Sequence, residues 1–149
     1  MRSLWWVHRP SAEDFLAAVE FYRKAVELDP TSYYGHNNLA YSLSRLGRHD
    51  EAESEARAAI DVAPEVYNAH KNLGVALEGL GRLVEAARAF LAAARANPFE
   101  PRAYRLLQEM VGRHPEVLEV EGLAEEIESC SRPNLIKRLM EQQGNDPRV

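Results

Sequence analysis

Residues 33–66 read YYGHNNLAYSLSRLGRHDEAESEARAAIDVAPEV, and residues 67–100 read YNAHKNLGVALEGLGRLVEAARAFLAAARANPFE. Laid over one another, the two 34-residue stretches place Tyr33 on Tyr67, His36 on His70 and Asn38 on Asn72. Leu39 falls on Leu73, Leu43 on Leu77 and Leu46-Gly47-Arg48 on Leu80-Gly81-Arg82. Glu51-Ala52 falls on Glu85-Ala86, Ala58-Ala59 on Ala92-Ala93 and Pro64 on Pro98. Between 33–64 and 67–98, 13 of 32 positions are identical, all in one register, so the chain is an internal repeat before it is anything else.

Each unit divides into two helices. Leu39, Leu43 and Leu46 recur at spacings of four and three, which is one face of an α-helix over 33–46. Gly47 suits the left-handed residue that ends such a helix. A second helix over 49–62 carries Ala52, Ala56, Ala59 and Ile60 on its apolar stripe, and Pro64 stops it. The next unit repeats the plan with helices over 67–80 and about 83–96, Gly81 between them and Asn97-Pro98 at the close. Ala40, Gly74, Ala52 and Ala86 are small enough to let helix backbones approach.

The 34-residue period, Leu39-Ala40 and Leu73-Gly74, the Leu-Gly turns, Glu51-Ala52 and Glu85-Ala86, and the closing prolines together resemble the tetratricopeptide repeat. The family's large first-helix residue is replaced here by His36 and His70. A pentatricopeptide reading, with a 35-residue period and a basic RNA-binding face, fits less well. The resemblance implies an all-α fold, a right-handed α-solenoid of antiparallel helix pairs, and a non-catalytic role in binding other proteins. Pro30 lies one period before Pro64, so 12–28 reads as a second helix whose first-helix partner is cut short, with Trp5-Trp6 where leucine and a small residue belong. Residues 101–132 read as a degenerate unit with helices through Tyr104, Leu107 and Val111 and over about 115–130. Residues 133–143 read as a capping helix. The expected organisation is one domain over 1–143: a partial repeat 1–32, repeats 33–66 and 67–100, the degenerate repeat 101–132 and the cap. A flexible tail follows over 144–149.

Composition agrees with a folded helical protein: 149 residues, 46% hydrophobic and 28% charged. A net charge of −5 argues against a general nucleic-acid binder. One cysteine, Cys130, cannot form an internal disulfide, and no stretch has the length of a membrane span. A cytoplasmic protein is the expectation. There is no glycine-rich phosphate loop and no paired-histidine zinc motif, so no cofactor, metal or enzymatic activity is expected. His36 and His70 belong to neighbouring units and fit packing roles. The glutamates between Glu116 and Glu128 fit a solvated helix face, and Cys130 fits an inert thiol.

The resemblance implies a concave face lined by the first helices, which would take a peptide. Its register selects Tyr34, Asn37, Asn38, Tyr41 and Arg45 from one unit, Asn68, Lys71 and Asn72 from the next, and Arg102 and Arg105 from the degenerate one. Asn38 and Asn72 resemble the asparagine ladder of long superhelices, whose amides grip a peptide backbone. Arg45, Lys71, Arg102, Arg105 and Arg113 outnumber Glu78 and Glu109, which favours an extended ligand with acidic residues or a free carboxylate. Asn72 and Arg102 match the carboxylate clamp of chaperone-tail-binding co-chaperones. Asn37, Tyr41 and Leu106 stand where that clamp has lysine, asparagine and arginine, so chaperone-tail binding is not expected. The apolar side of helix 12–28 needs cover, from the Trp5-Trp6 segment folding back, from a second chain or from upstream sequence. Monomer and N-terminal homodimer therefore both remain open. The alternative function is an assembly or regulatory subunit that docks through its convex or N-terminal face.

Overall fold

The structure, a computed structural model, describes residues 9–144. Trp5 and Trp6 lie outside the described residues, as does the tail beyond Gly144. The described residues form helices α1 (Ala12–Leu28), α2 (Tyr33–Arg45), α3 (His49–Val62), α4 (Tyr67–Gly79), α5 (Leu83–Ala96) and α6 (Arg102–Arg113). A 3-10 turn, Pro115–Glu119, then leads to α7 (Leu123–Ser129) and α8 (Arg132–Gly144). No strand occurs among them, and the helix pairs stack into an all-α solenoid.

The helix ends follow from local chemistry. Ser11 caps α1 by accepting from the Asp14 amide at 3.2 Å, while the Asp14 carboxylate takes the Ser11 amide at 2.6 Å. Ser32 caps α2 by accepting from the Gly35 amide. At the other end of α2, Gly47 turns to φ +75°, and the Arg48 and Gly47 amides return to the Leu43 and Ser44 carbonyls. Gly81 does the same after α4, with Arg82 on Leu77 and Gly81 on Glu78. A left-handed residue closes each hairpin, which only glycine supplies without a steric penalty.

Leu39, Leu73 and Leu107, one period apart, are all buried. α2 packs on both α3 and α4, and α5 carries the core onward to α6. The two full units solve one packing problem differently. Ala40 and Ala56 of the first become Gly74 and Phe90 of the second, and the Phe90 ring lies over Gly74. The loss of a methyl on α4 makes room for the aromatic ring on α5.

One expected element is divided. The helix expected over about 115–130 is instead the 3-10 turn and the shorter α7, separated at Gly122, which sits at φ +79°. Pro115 opens the turn and Val117 is buried beneath it, so this unit reaches the core by a bend. Cys130 is buried at the end of α7.

Candidate functional site

Five rows of positions recur along α2, α4 and α6 at the 34-residue interval: 34/68/102, 37/71/105, 38/72/106, 41/75/109 and 45/79/113. Burial separates them. Tyr34 and Tyr41 are exposed, Asn38 and Asn68 are half-buried, and Arg102 and Arg105 are exposed.

Asn37 and Asn72 are not. They are 8% and 4% exposed, and Asn72 Nδ2 donates to Asn37 Oδ1 at 2.9 Å and to the Asn37 backbone carbonyl at 3.3 Å. This amide pair bonds α2 to α4 inside the stack, where an unpaired polar group would carry a desolvation penalty. Asn38 and Asn72 therefore do not form the expected ladder: Asn38 borders a cleft while its repeat counterpart is committed to the core. Their neighbours explain the difference: Asn72 meets the preceding first helix, α2, whereas Asn38 faces the α1 residues Phe15, Ala18 and Tyr22.

Two of the clefts along these helices take in several of these positions. The first, about 340 Å³, lies between α1 and α2 and is lined mainly by Pro10, Phe15, Ala18, Tyr22, Asn38 and Tyr41. Phe15 meets Tyr41 edge to face, with ring centroids 6.0 Å apart. The Arg45 guanidinium sits 5.4 Å from the Phe15 centroid, so this expected carboxylate-binding cation is held on an aromatic face. Phe15 and Tyr22 were legible only as an apolar face needing cover; their role as cleft walls depends on how α1 meets α2.

The second cleft, about 210 Å³, lies between α4 and α6 and is lined by Lys71, Arg102, Arg105, Leu106 and Glu109. Arg102 pairs with Glu100 at 2.9 Å, and Arg113 pairs with Glu78. Lys71 and Arg105 have no ion-pair partner among the described residues. Burial, and then the neighbouring Arg102 charge, hold the Lys71 ammonium below the usual lysine range against the opposing pull of Glu100. A half-buried lysine beside two arginines is a site that an incoming anion would stabilise.

Other polar groups serve the stack. The Tyr67 hydroxyl accepts from the Ala103 amide at 2.6 Å, which satisfies a donor at the start of α6 that no side-chain cap provides. The equivalent Tyr33 hydroxyl is turned toward the Ala69 amide without reaching a normal hydrogen bond. His36 stands between two acceptors, Glu55 Oε2 at 2.6 Å from Nδ1 and the Pro30 carbonyl at 2.7 Å from Nε2. Both oxygens need a proton from the ring, so the arrangement fits the imidazolium. Burial pulls the His36 pKa down, but the Glu55 and Pro30 bonds and the Glu55 and Asp29 charges outweigh it and raise the value above that of free histidine. His70 repeats the carbonyl bond, to Pro64 at 2.6 Å, but its counterpart of Glu55 is Ala89.

Among the described residues, no group of His, Cys, Asp and Glu could hold a metal, and no helix is long and apolar enough to cross a membrane.

Two sequence models described as tetratricopeptide repeat match residues 11–32 and 37–101, together more than half of the chain. The small glutamine-rich tetratricopeptide repeat-containing protein 2 of Mycosarcoma maydis is 45% identical over 47 residues, 32% of this chain and 13% of that protein. Among solved structures, the first TPR domain of the human RPAP3 protein superposes with a TM-score of 0.66 at 21% identity, covering 72% of this chain and 85% of that one. MamA from Desulfovibrio magneticus RS-1, residue 41 to its end, gives 0.65 at 21% identity, covering 90% of this chain and 70% of that one. Identities this low speak for the fold alone. Helix pairs that return every 34 residues, and two models of one repeat that fall on them, make the chain a member of the tetratricopeptide repeat family.

Proposed function

We propose that this protein–protein interaction module holds an extended, carboxylate-bearing peptide along its first helices. The site would comprise Tyr34, Asn38, Tyr41, Asn68, Lys71, Arg102 and Arg105. Asn37 and Asn72 would set the spacing of α2 and α4 rather than touch the ligand. The observation that carries the reading is the α4–α6 cleft, where Lys71 and Arg105, beside Arg102, have no ion-pair partner among the described residues. A carboxylate there would gain charge-assisted hydrogen bonds from groups already partly desolvated. The helices that present them are formed beforehand, which lowers the ordering cost of binding. Nothing in this role requires bond-making chemistry.

Fluorescence anisotropy with labelled peptides tests it. A peptide with a free C-terminal carboxylate and acidic residues should bind more tightly than its amidated, neutral counterpart, and Lys71→Glu with Arg105→Glu should abolish the difference. Equal affinity of acid and amide forms for the unaltered protein would remove the proposal. Arg102 is the poorer target, since Glu100 already holds it.

A second reading, docking through the N-terminal end, is favoured by one observation: Phe21 and Leu28 on α1 are 67% and 88% exposed. Loss of partner capture on Phe21→Ser, with acid-peptide binding intact, would support it.

A further inference from the structure

The chain has three lysines, Lys24, Lys71 and Lys137, and they stand in different surroundings. Lys24 on α1 and Lys137 on α8 are exposed, whereas Lys71 is half-buried in the cleft between α4 and α6. Lys137 borders a cleft between α7 and α8 but shares it with Glu125, Glu128 and Glu141, which repel anions. Lys71 shares its own cleft with Arg102, Arg105, Leu106 and Glu109, so cations outnumber carboxylates there. Glu100 engages Arg102, and Arg105 has no ion-pair partner among the described residues.

We propose that Lys71 is a site of covalent N-acylation whose acyl donor is a small acyl phosphate. Arg105, assisted by Arg102, takes the phosphate of the donor, and the neutral Lys71 amine attacks the acyl carbon. A C–N bond forms as the bond from the acyl carbon to the phosphate oxygen breaks. The departing phosphate takes the proton that the amine gives up, so the products are a neutral amide on Lys71 and hydrogen phosphate. Nothing is oxidised or reduced.

The cleft favours each part of this step. An attacking amine must be neutral, and burial beside the Arg102 guanidinium disfavours the ammonium. Negative charge grows on the phosphate as it leaves, and charge-assisted hydrogen bonds from a guanidinium stabilise it. The cleft, about 210 Å³, admits a short acyl group, with Leu106 as an apolar wall. The consequence for the groove rests on the peptide-binding reading above. An amide carries no charge, so acylation removes a cation that would meet the peptide carboxylate, and a bound peptide in turn shields Lys71.

Incubating the full chain with acetyl phosphate, and following each lysine by peptide mass spectrometry, tests the proposal. Lys71 should acetylate about threefold or more faster than Lys24 or Lys137, because both its free-amine fraction and the local concentration of the anionic donor are raised. Excess inorganic phosphate should slow Lys71 selectively. Arg105→Gln, at an exposed position, should slow Lys71 about threefold or more and leave Lys24 and Lys137 unchanged; circular dichroism verifies that the variant is helical. A neutral N-hydroxysuccinimide ester, which carries no phosphate, should acylate Lys71 without dependence on Arg105. Equal or slower acetylation at Lys71, or a Lys71 rate that neither phosphate nor Arg105→Gln alters, overturns the inference. It fails separately from the peptide-binding reading: a preference for acid peptides without selective acetylation removes the inference alone, and selective acetylation without that preference removes only the peptide reading. Where both hold, protein acetylated at Lys71 should lose about threefold or more of its preference for the acid peptide. An undiminished preference would overturn the regulatory consequence.

Discussion

The Gly74–Phe90 contact provides a test of the packing argument in which two effects oppose each other. A Cβ built on Gly74 would lie 2.6 Å from Phe90 Cδ1 and Cε1 and 3.0 Å from Cγ. Carbon atoms at rest sit about 3.5–4.0 Å apart, so Gly74→Ala forces roughly 1 Å of movement on a ring that is fully buried. Overpacking of this kind costs about 1–3 kcal/mol. Alanine in place of glycine inside a helix returns about 1 kcal/mol, which leaves a net loss of about 0–2 kcal/mol. Phe90→Ala alone should cost about 3–5 kcal/mol by emptying the site. In that background the added methyl meets open space, so Gly74→Ala should become stabilising, and the double variant reproduces the Ala40–Ala56 pair of the preceding unit. Urea denaturation followed by far-ultraviolet circular dichroism on the four proteins of this cycle measures the coupling. We expect at least about 1 kcal/mol, well outside the roughly 0.3–0.5 kcal/mol within which independent sites add. Additive behaviour, or stabilisation by Gly74→Ala in the unaltered protein, would refute the reasoning.

Three further outcomes follow from contacts described above. Tyr67→Phe should cost about 1–3 kcal/mol, because the buried Ala103 amide loses its acceptor, and amide exchange should quicken at the start of α6. The raised His36 pKa implies stability that is fully present below the unfolded histidine value, about 6.5, and lost as pH rises through the folded one. Urea midpoints should therefore fall from about pH 6.5 upward, and the decline should weaken in Glu55→Gln; an equal slope in both proteins would exclude His36 as its source. Leu39→Ala and Leu73→Ala should each cost about 2–5 kcal/mol as buried large-to-small changes, and unaltered melting curves would mean that the helix faces are misassigned.

The repeat and its helices were legible because each rests on short-range signals: a leucine every three or four residues, a glycine where the backbone turns left-handed, a proline where a helix cannot continue. α1, α3 and α5 begin and end where these signals place them. The break at Gly122 was harder to read, since it goes with a 3-10 turn that buries Val117 and packs against α6 and α7, a bend that helical periodicity does not register. The groove shows the same division. Register alone chose the first-helix positions, but it treats Asn38 and Asn72 as equivalents, and they are not. What separates them is the bond from Asn72 to Asn37, which depends on the neighbouring helix. Likewise the pairing of Arg102 with Glu100 and the seating of Arg45 on Phe15 are contacts that periodicity cannot weigh.

The amide bond from Asn72 to Asn37 also limits how the array can be lengthened. The corresponding positions at the next joint are Leu106 and Lys71, so among the described residues the bond exists at one junction. A tandem copy of residues 67–100 spliced in after the original would set a second asparagine opposite Lys71, whose ammonium can donate to the amide oxygen but cannot take the amide N–H that Asn37 Oδ1 accepts at the native joint. The order of the units is therefore written into their joints, and engineered extensions of this protein should be inserted with both asparagines or with neither.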